Sequence, residues 1–239
     1  MMGAALLSAR ACMRSGVGLL TVRVPGCGYQ IMQAGIPEAK CTCDRHSDIH
    51  TDITVPADTD VIGIGPGLGQ AAETQEALHQ LLLQWHKPMV VDADGLNILA
   101  RHPEWLQLLP AGSVLTPHPG ELKRLGIDPQ QLATQHQLVV VAKGHHTYIY
   151  TPELKTFVNT LHGNAGMATG GSGDVLTGII TALLAQRYTA QEAAVAGVWL
   201  HALAADLALA DGESMESLLP SDIITHLGQA FLYSAATPF

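Results

Sequence analysis

Residues 163–186 read GNAGMATGGSGDVLTGIITALLAQ, and five of the first eleven are glycine. A helix is predicted to start at Ser172 or Gly173. Val175, Ile179 and Leu183 form one apolar stripe along it, and Leu176, Ile180 and Leu184 form its neighbour. The first turn of such a helix has unpaired N–H groups and a partial positive charge. Glycines ahead of it let backbone N–H groups approach an anion closely. This is a phosphate-binding arrangement in outline, but not a P-loop, because no G-K-[ST] follows. Asp174 stands in that first turn. A carboxylate beside a phosphate is repelled unless it has a task, and one task is to take the proton from a hydroxyl that attacks phosphorus. The plainer reading is an acid favoured by the helix dipole. The glycine run weighs toward function, since glycine costs about 1 kcal/mol relative to alanine inside a helix.

Four more motifs stand just after predicted strands: GPGLG (65–69), DADGLN (92–97), TPHPGE (116–121) and KGHHT (143–147). Where strands alternate with helices, the sheet is mainly parallel and its ligands bind at the carboxyl ends of the strands. The five motifs are therefore expected to converge on one edge. His118 has the best functional case among the histidines, because it lies between the two prolines of TPHPGE, although those prolines also serve simply to stiffen a turn. His145 and His146 would point to opposite faces if they were on a strand, which argues against a shared metal. His201, in WLHALAAD, reads as a helix-packing histidine. Asp92 reads as a cap for the helix that follows it.

Taken together and in this order, GPGLG, VVDADGLN, LTPHPGEL, VAKGHHT and GNAGMATGGSGDVLTGII resemble the ADP- or ATP-dependent (S)-NAD(P)H-hydrate dehydratase family of the ribokinase-like superfamily. The resemblance implies a three-layer α/β/α fold with a mainly parallel central sheet. It implies dehydration of the S form of hydrated NADH or NADPH, driven by ADP (or ATP) with Mg²⁺ and releasing AMP and phosphate. Asp174 then matches the acid that meets the hydrate and acts as base. Ala4, Ala5, Gly67, Gly69, Asp94, His118 and Asn164 match hydrate-lining positions. Lys143, Gly144, His145, His146, Thr147, Gly171, Ser172 and Gly173 match the nucleotide-holding segments. The metal ligands are not identified by any motif; Asp92 and Glu121 are candidates. The resemblance also suggests a homotetramer and a functional pairing with an NAD(P)H-hydrate epimerase. The alternative within the same fold is a ribokinase-like kinase for a vitamin or sugar alcohol, which would release a stable phosphorylated product.

The elements that must position these loops can be read along the chain. Helices are predicted over 3–15, 71–85, 98–108, 172–187 and 190–210, with a short one from Glu121 and a last one after Pro220. Strands are predicted at GLLTVRV, DVIGIG, PMVVDADGLN, SVLTPHPGE and QLVVVAKG, followed by a hairpin of TYIYTP and KTFVNT. Residues 37–59 are polar and irregular, with room for one short strand. Family members have a first strand and a Gly-Gly turn ahead of the GAA helix. The chain is therefore expected to be a single domain over 1–239 that lacks that strand. One consequence of such a truncation would be a chain that binds nucleotide without turnover.

The bulk composition fits a folded enzyme. Of 239 residues, 47% are hydrophobic and 14% charged, which is enough to bury one large core. The formal charge of −9 argues against a non-specific nucleic-acid surface. Cys12, Cys27, Cys41 and Cys43 lack zinc spacing and read as reduced thiols of a cytoplasmic protein. The opening residues carry arginines and do not form a signal peptide. No apolar run is expected to reach the roughly 20 residues of a membrane span; AAVAGVWLHALAADLALA comes nearest, interrupted by His201 and Asp206.

Overall fold

Short runs of valine, isoleucine and methionine, each closed by glycine, aspartate, Thr-Pro or Lys-Gly, build the centre of the fold. In the computed structural model, which describes residues 1–236, they form β3 (Ile62–Ile64), β4 (Met89–Val91), β5 (Val114–Leu115) and β6 (Val139–Ala142). These four lie side by side in parallel, and β7 (Thr147–Tyr150) and β8 (Thr156–Asn159) continue the sheet antiparallel. Every residue of β4, β5 and β6 is buried, as expected of parallel strands covered on both faces.

Alternation along these strands divides the core in two. Val90, Val114, Val139 and Val141 face a cluster with α7 (Ser172–Ala185), α8 (Ala190–Ala210) and α9 (Pro220–Ala236). Met89, Val91, Leu115 and Val140 face the other side, against α3 (Ala72–Gln84), α4 (Ala93–Arg101), α5 (Pro119–Leu125) and α6 (Pro129–His136). The result is the expected α/β/α sandwich. Both predicted stripes of α7 are buried. The first helix, α1 (Met2–Arg14), crosses α7 where Gly178 leaves room: a Cβ there would lie 2.1 Å from the Ser8 carbonyl oxygen.

Several expectations need correction. The helix after DADGLN starts at Ala93 rather than Ile98, and residues 103–108 form a separate 3-10 turn. The helix α6 was not foreseen. It is short, its Asp128 side chain caps it by accepting from the Gln130 and Gln131 N–H groups, and only Leu132 and Ala133 are buried, so it has almost no apolar period to detect. By length and composition α8 does meet the demands of a membrane span, against expectation, but 61% of that window is buried inside the fold.

The strand predicted at GLLTVRV is β1 (Thr21–Val24), and the one in the irregular segment is β2 (Lys40–Cys43). They pair in parallel as a second, two-stranded sheet, with α2 (Tyr29–Gly35) between them in sequence. Between β1 and β3 lies a cavity of about 680 Å³, which reaches down to Gly178 and Thr181 of α7.

Candidate active site

Because β3 to β6 are parallel, their carboxyl ends share one edge. Their registers put Ile64 beside Val91, Val91 beside Leu115, and Leu115 beside Val140. The residues that follow, from GPGLG, DADGLN, TPHPGE and KGHHT, therefore leave the sheet together, and side chains tie the loops to one another. The Asp94 carboxylate accepts from the Gly69 N–H at 2.9 Å and from Gln70 Nε2 at 2.6 Å. The Lys143 N–H donates to the Pro117 carbonyl at 2.9 Å. Lys143 Nζ reaches Asp92 Oδ1 at 2.8 Å.

Asp92 does not cap α4 with its side chain, contrary to the plain reading. Its carboxylate is 1% exposed as a residue and accepts from Lys143 and, at 2.6 Å, from Thr177 Oγ1 of α7. Ala93 at φ +47 makes the sharp turn between Asp92 and Asp94, which bond to different loops. A non-glycine residue in that region is strained by about 1 kcal/mol or more. The loop on β3 is just as tight: a Cβ on Gly65, at φ +121, would sit 1.8 Å from the Asp92 carbonyl oxygen.

The start of α7 closes the site from above. Gly171, at φ +100, turns the chain into the helix, and no side chain caps that end. By contrast α5, α6 and α8 are capped by His118, Asp128 and Thr189. The Ser172 N–H donates to the Thr169 carbonyl at 3.4 Å, which leaves the Gly173 and Asp174 N–H groups to meet an anion. Gly173 sits over Lys143: a Cβ there would lie 3.0 Å from Nζ and 3.7 Å from Asp92 Oδ2. Asp174, next in the chain, is half-buried. Burial raises its carboxyl to about 6, the Asp92 and Asp94 charges add to the rise, and Lys143 and the N-terminal amine oppose it. A carboxylate of that strength, ionised at neutral pH, suits a general base.

His118 Nδ1 accepts from the Gly120 and Glu121 N–H groups at 2.9 and 3.3 Å, in a capping box completed by Glu121 Oε2 accepting from the His118 N–H. This fixes the proton of the neutral ring on Nε2, which lies 3.4 Å from Glu121 Oε1. Burial lowers the pKa of the ring, and Lys143 and Arg124 lower it further, so it stays neutral. Burial also raises the Glu121 carboxyl. Glu121 and Asp92 are thus both engaged within the protein. Among the described residues, no group of three or more His, Cys, Asp or Glu is placed to hold a metal ion.

A family model described as NAD(P)H-hydrate dehydratase matches residues 1–228. The chain belongs to the NAD(P)H-hydrate dehydratase family. It is 38% identical over 237 residues to the bifunctional NAD(P)H-hydrate repair enzyme Nnr of Vibrio cholerae, covering 94% of this chain and 46% of that protein. The chain thus spans about half the length of such bifunctional relatives. It is 33% identical over 238 residues to the ADP-dependent (S)-NAD(P)H-hydrate dehydratase of Listeria monocytogenes, covering 94% of this chain and 81% of that one. Its fold matches the ADP/ATP-dependent NAD(P)H-hydrate dehydratase of Bacillus subtilis co-crystallized with ATP/Mg²⁺, at TM-score 0.81 and 29% identity over 98% of this chain and 85% of that one. Likeness to an Arabidopsis thaliana ribokinase, at TM-score 0.59 and 12% identity over 94% of this chain and 86% of that one, marks the fold as ribokinase-like. The kinase alternative thus rests on fold alone.

In this dehydratase-family chain most of the expected residues fall into three clusters, and Ser172 and Asn164 stand apart from them. Gly69, Asp94, His118, Lys143, Gly173 and Asp174 gather at the sheet edge. The Gly67 carbonyl meets the N-terminal amine at 2.9 Å, which puts that loop beside the start of α1, where buried Ala4 and half-buried Ala5 follow. Gly144, His145 and His146 form an exposed loop, with the two rings edge to face at 4.5 Å, and Thr147 opens β7. Ser172 turns its hydroxyl toward His201 rather than outward. Asn164 is held elsewhere: its Nδ2 donates to Asp206 of α8 at 3.0 Å, and its own oxygen accepts from the Gly166 N–H.

Sequence reasoning missed Thr177 and the role of Asp206. The Asp206 carboxylate also takes the Gly163 N–H at 3.0 Å and meets His162 Nδ1 at 3.2 Å, so it pins the loop that leads to the glycine run. The available signal was an acid that, with His201, interrupts the otherwise apolar run over residues 193–210.

Proposed function

We propose that the chain dehydrates the S form of hydrated NADH or NADPH, with ADP as phosphoryl donor and ATP as the other candidate. The observation that carries this reading is the placement of half-buried Asp174 at an uncapped helix start directly above Lys143. In the reaction, the ring hydroxyl loses its proton to Asp174 as its oxygen attacks the terminal phosphorus of ADP, and AMP leaves. The free N–H groups of the α7 start and the Lys143 ammonium balance the charge that develops on the transferred group. The carbon–oxygen bond then breaks, with its electron pair going to phosphate and the ring nitrogen supplying electron density. Loss of a ring proton restores the double bond. Gly67, Gly69, Asp94 and the His118 ring line the hydrate side, with Ala4, Ala5 and, through the loop that Asp206 holds, Asn164. Gly144, His145, His146, Thr147, Gly171 and Ser172 serve the nucleotide side.

Magnesium would be held by the nucleotide phosphates, with Asp92 and Glu121 as the candidate carboxylates of the chain. The described residues form no cage of their own, which fits an ion carried by phosphates and water. When bound it would neutralise the phosphate charge.

Wider assignments follow the same reading. Four free thiols support a reducing, cytoplasmic setting. The family resemblance makes a homotetramer the expected state. The bifunctional relatives support a pairing with an epimerase.

The test is direct. Purified protein is given the S form of hydrated NADH, ADP and magnesium, and 340 nm absorbance is followed, with ATP in a parallel arm. Recovery of absorbance with release of AMP and phosphate is expected. A stable phosphorylated hydrate would point to a kinase, and ADP binding without product to an inactive nucleotide-binding chain.

A further inference from the structure

The carboxylate of Asp92 makes no contact that its position at the start of α4 requires. It spends both oxygens on other elements: Oδ1 on Lys143 Nζ at 2.8 Å, beyond β6, and Oδ2 on Thr177 Oγ1 at 2.6 Å, one turn into α7. Thr177 itself is fully buried, and its hydroxyl also lies 3.1 Å from the Gly173 carbonyl oxygen. The carboxylate therefore joins three elements beneath Gly173, where a Cβ would lie only 3.0 Å from the Lys143 ammonium.

We infer that Asp92 is a positioning residue, whose buried carboxylate clamps the Lys143 ammonium against the floor of the α7 anion site so that its remaining N–H groups face the transferred phosphate. This rests on the proposed dehydratase reading for its chemistry, but the clamp itself is a property of three side chains. A lysine carries four flexible methylenes, and holding them in a single geometry loses rotamer entropy. With the clamp that cost is met on folding, before nucleotide arrives, and the charge need not reorganise during phosphoryl transfer. Thr177 holds the carboxylate in turn. Asp174 is faced by Asp92 and Asp94 from the β4–α4 turn, by Lys143 from the β6 end and by the N-terminal amine, so loss of the Asp92 charge also reaches the base.

The test compares Asp92→Asn, Thr177→Val, Lys143→Met and the double variant Asp92→Asn/Lys143→Met. In Asp92→Asn, kcat should fall at least tenfold while KM for ADP changes less than about threefold, and the acidic limb of the kcat profile should move to lower pH. Thr177→Val should show a smaller loss in the same pattern, and Thr177→Ser should restore it. In the Lys143→Met background, Asp92→Asn should lower kcat much less than in wild type, leaving only the effect of its charge on Asp174. A readout free of turnover is the acetylation rate of Lys143 by an N-hydroxysuccinimide ester, followed by mass spectrometry. It should rise more than fivefold in Asp92→Asn and in Thr177→Val. If Asp92→Asn does not fold, Thr177→Val carries both measurements. Unchanged Lys143 reactivity in the folded variants, or an Asp92→Asn loss equally large without Lys143, overturns the inference. Wild-type protein without turnover overturns the dehydratase reading and leaves the acetylation result to decide the clamp.

Discussion

Ser172 Oγ lies 3.2 Å from Nε2 of His201, so a buried imidazole from the middle of α8 backs the first turn of α7. Burial holds the ring at a pKa of about 4, and the Lys143 charge adds to the lowering. Sequence reading took His201 as a packing residue, and packing is its visible role. The contact gives it a pH signature as well. The folded pKa lies below the ordinary value of 6.5. The unfolded chain therefore binds a proton that the folded one refuses, and the contribution is full above pH 6.5 and lost as pH falls toward 4. His201→Gln should remove that acid sensitivity. The stability difference from wild type, read from urea midpoints at pH 7.5 and pH 4, should change by on the order of 2–3 kcal/mol. Parallel pH curves for the two proteins would show that His201 does not titrate in this way.

Asp174 has the opposite sign. Its folded carboxyl is raised from 3.8 to about 6, so the folded state binds the proton more tightly, and stability is lost as pH rises from about 4 to 6 and stays lower above that. Asp174→Asn should therefore be more stable than wild type at pH 7.5, by about 1–2 kcal/mol after allowance for partial exposure, and should lose that advantage below pH 4. Activity should move the other way: the wild-type kcat should fall as pH drops through about 6, and the variant should show almost none. Calorimetry at the two pH values checks the first part, and the hydrate assay checks the second. A variant no more stable than wild type at pH 7.5 would mean that the carboxylate is not held in a hostile setting.

The contact between α1 and α7 depends on one glycine. In Gly178→Ala the new methyl would meet the Ser8 carbonyl oxygen at 2.1 Å and the Cys12 nitrogen at 3.0 Å, both backbone atoms that cannot turn aside. The helices must separate, at a cost of about 2–3 kcal/mol. In a domain of this size that lowers Tm by roughly 4–10 °C. Gly228→Ala is the control, since nothing lies within 4 Å of its Cβ position on α9. It should gain up to about 1 kcal/mol from helix propensity. Equal Tm changes in the two variants would remove the close approach.

Much of this arrangement was legible in the sequence, because the signals were local. Runs such as VVVA and MVV, closed by turn residues, announce buried parallel strands, and the two stripes of α7 announce a buried helix. Convergence of the loops then follows from strand direction. What the sequence hides is long-range pairing. Nothing beside Asp92 shows that its partners are Lys143 and Thr177, 51 and 85 residues away. Its spacing before an apolar helix suggested a cap, and the tertiary contact overrode that local preference. The strand β1 was visible, but its place in a separate sheet was not, since pairing depends on which edges meet.

The same long-range blindness hid Asp206, whose carboxylate gathers His162, the Gly163 N–H and Asn164 from 42 to 44 residues away. This latch holds the near end of a loop whose far end forms the α7 anion site. Substitution by alanine removes all three contacts while leaving the half-buried start of the loop in place. The loop should then sample more conformations, and ordering it must be met on binding. Asp206→Ala should raise KM for the hydrate about five- to twentyfold, with kcat less affected, and should expose residues 162–167 to limited proteolysis. Asp206→Asn keeps one acceptor oxygen and should fall between the two. An Asp206→Ala protein with wild-type KM and an equally resistant loop would show that the glycine run holds its shape without the latch.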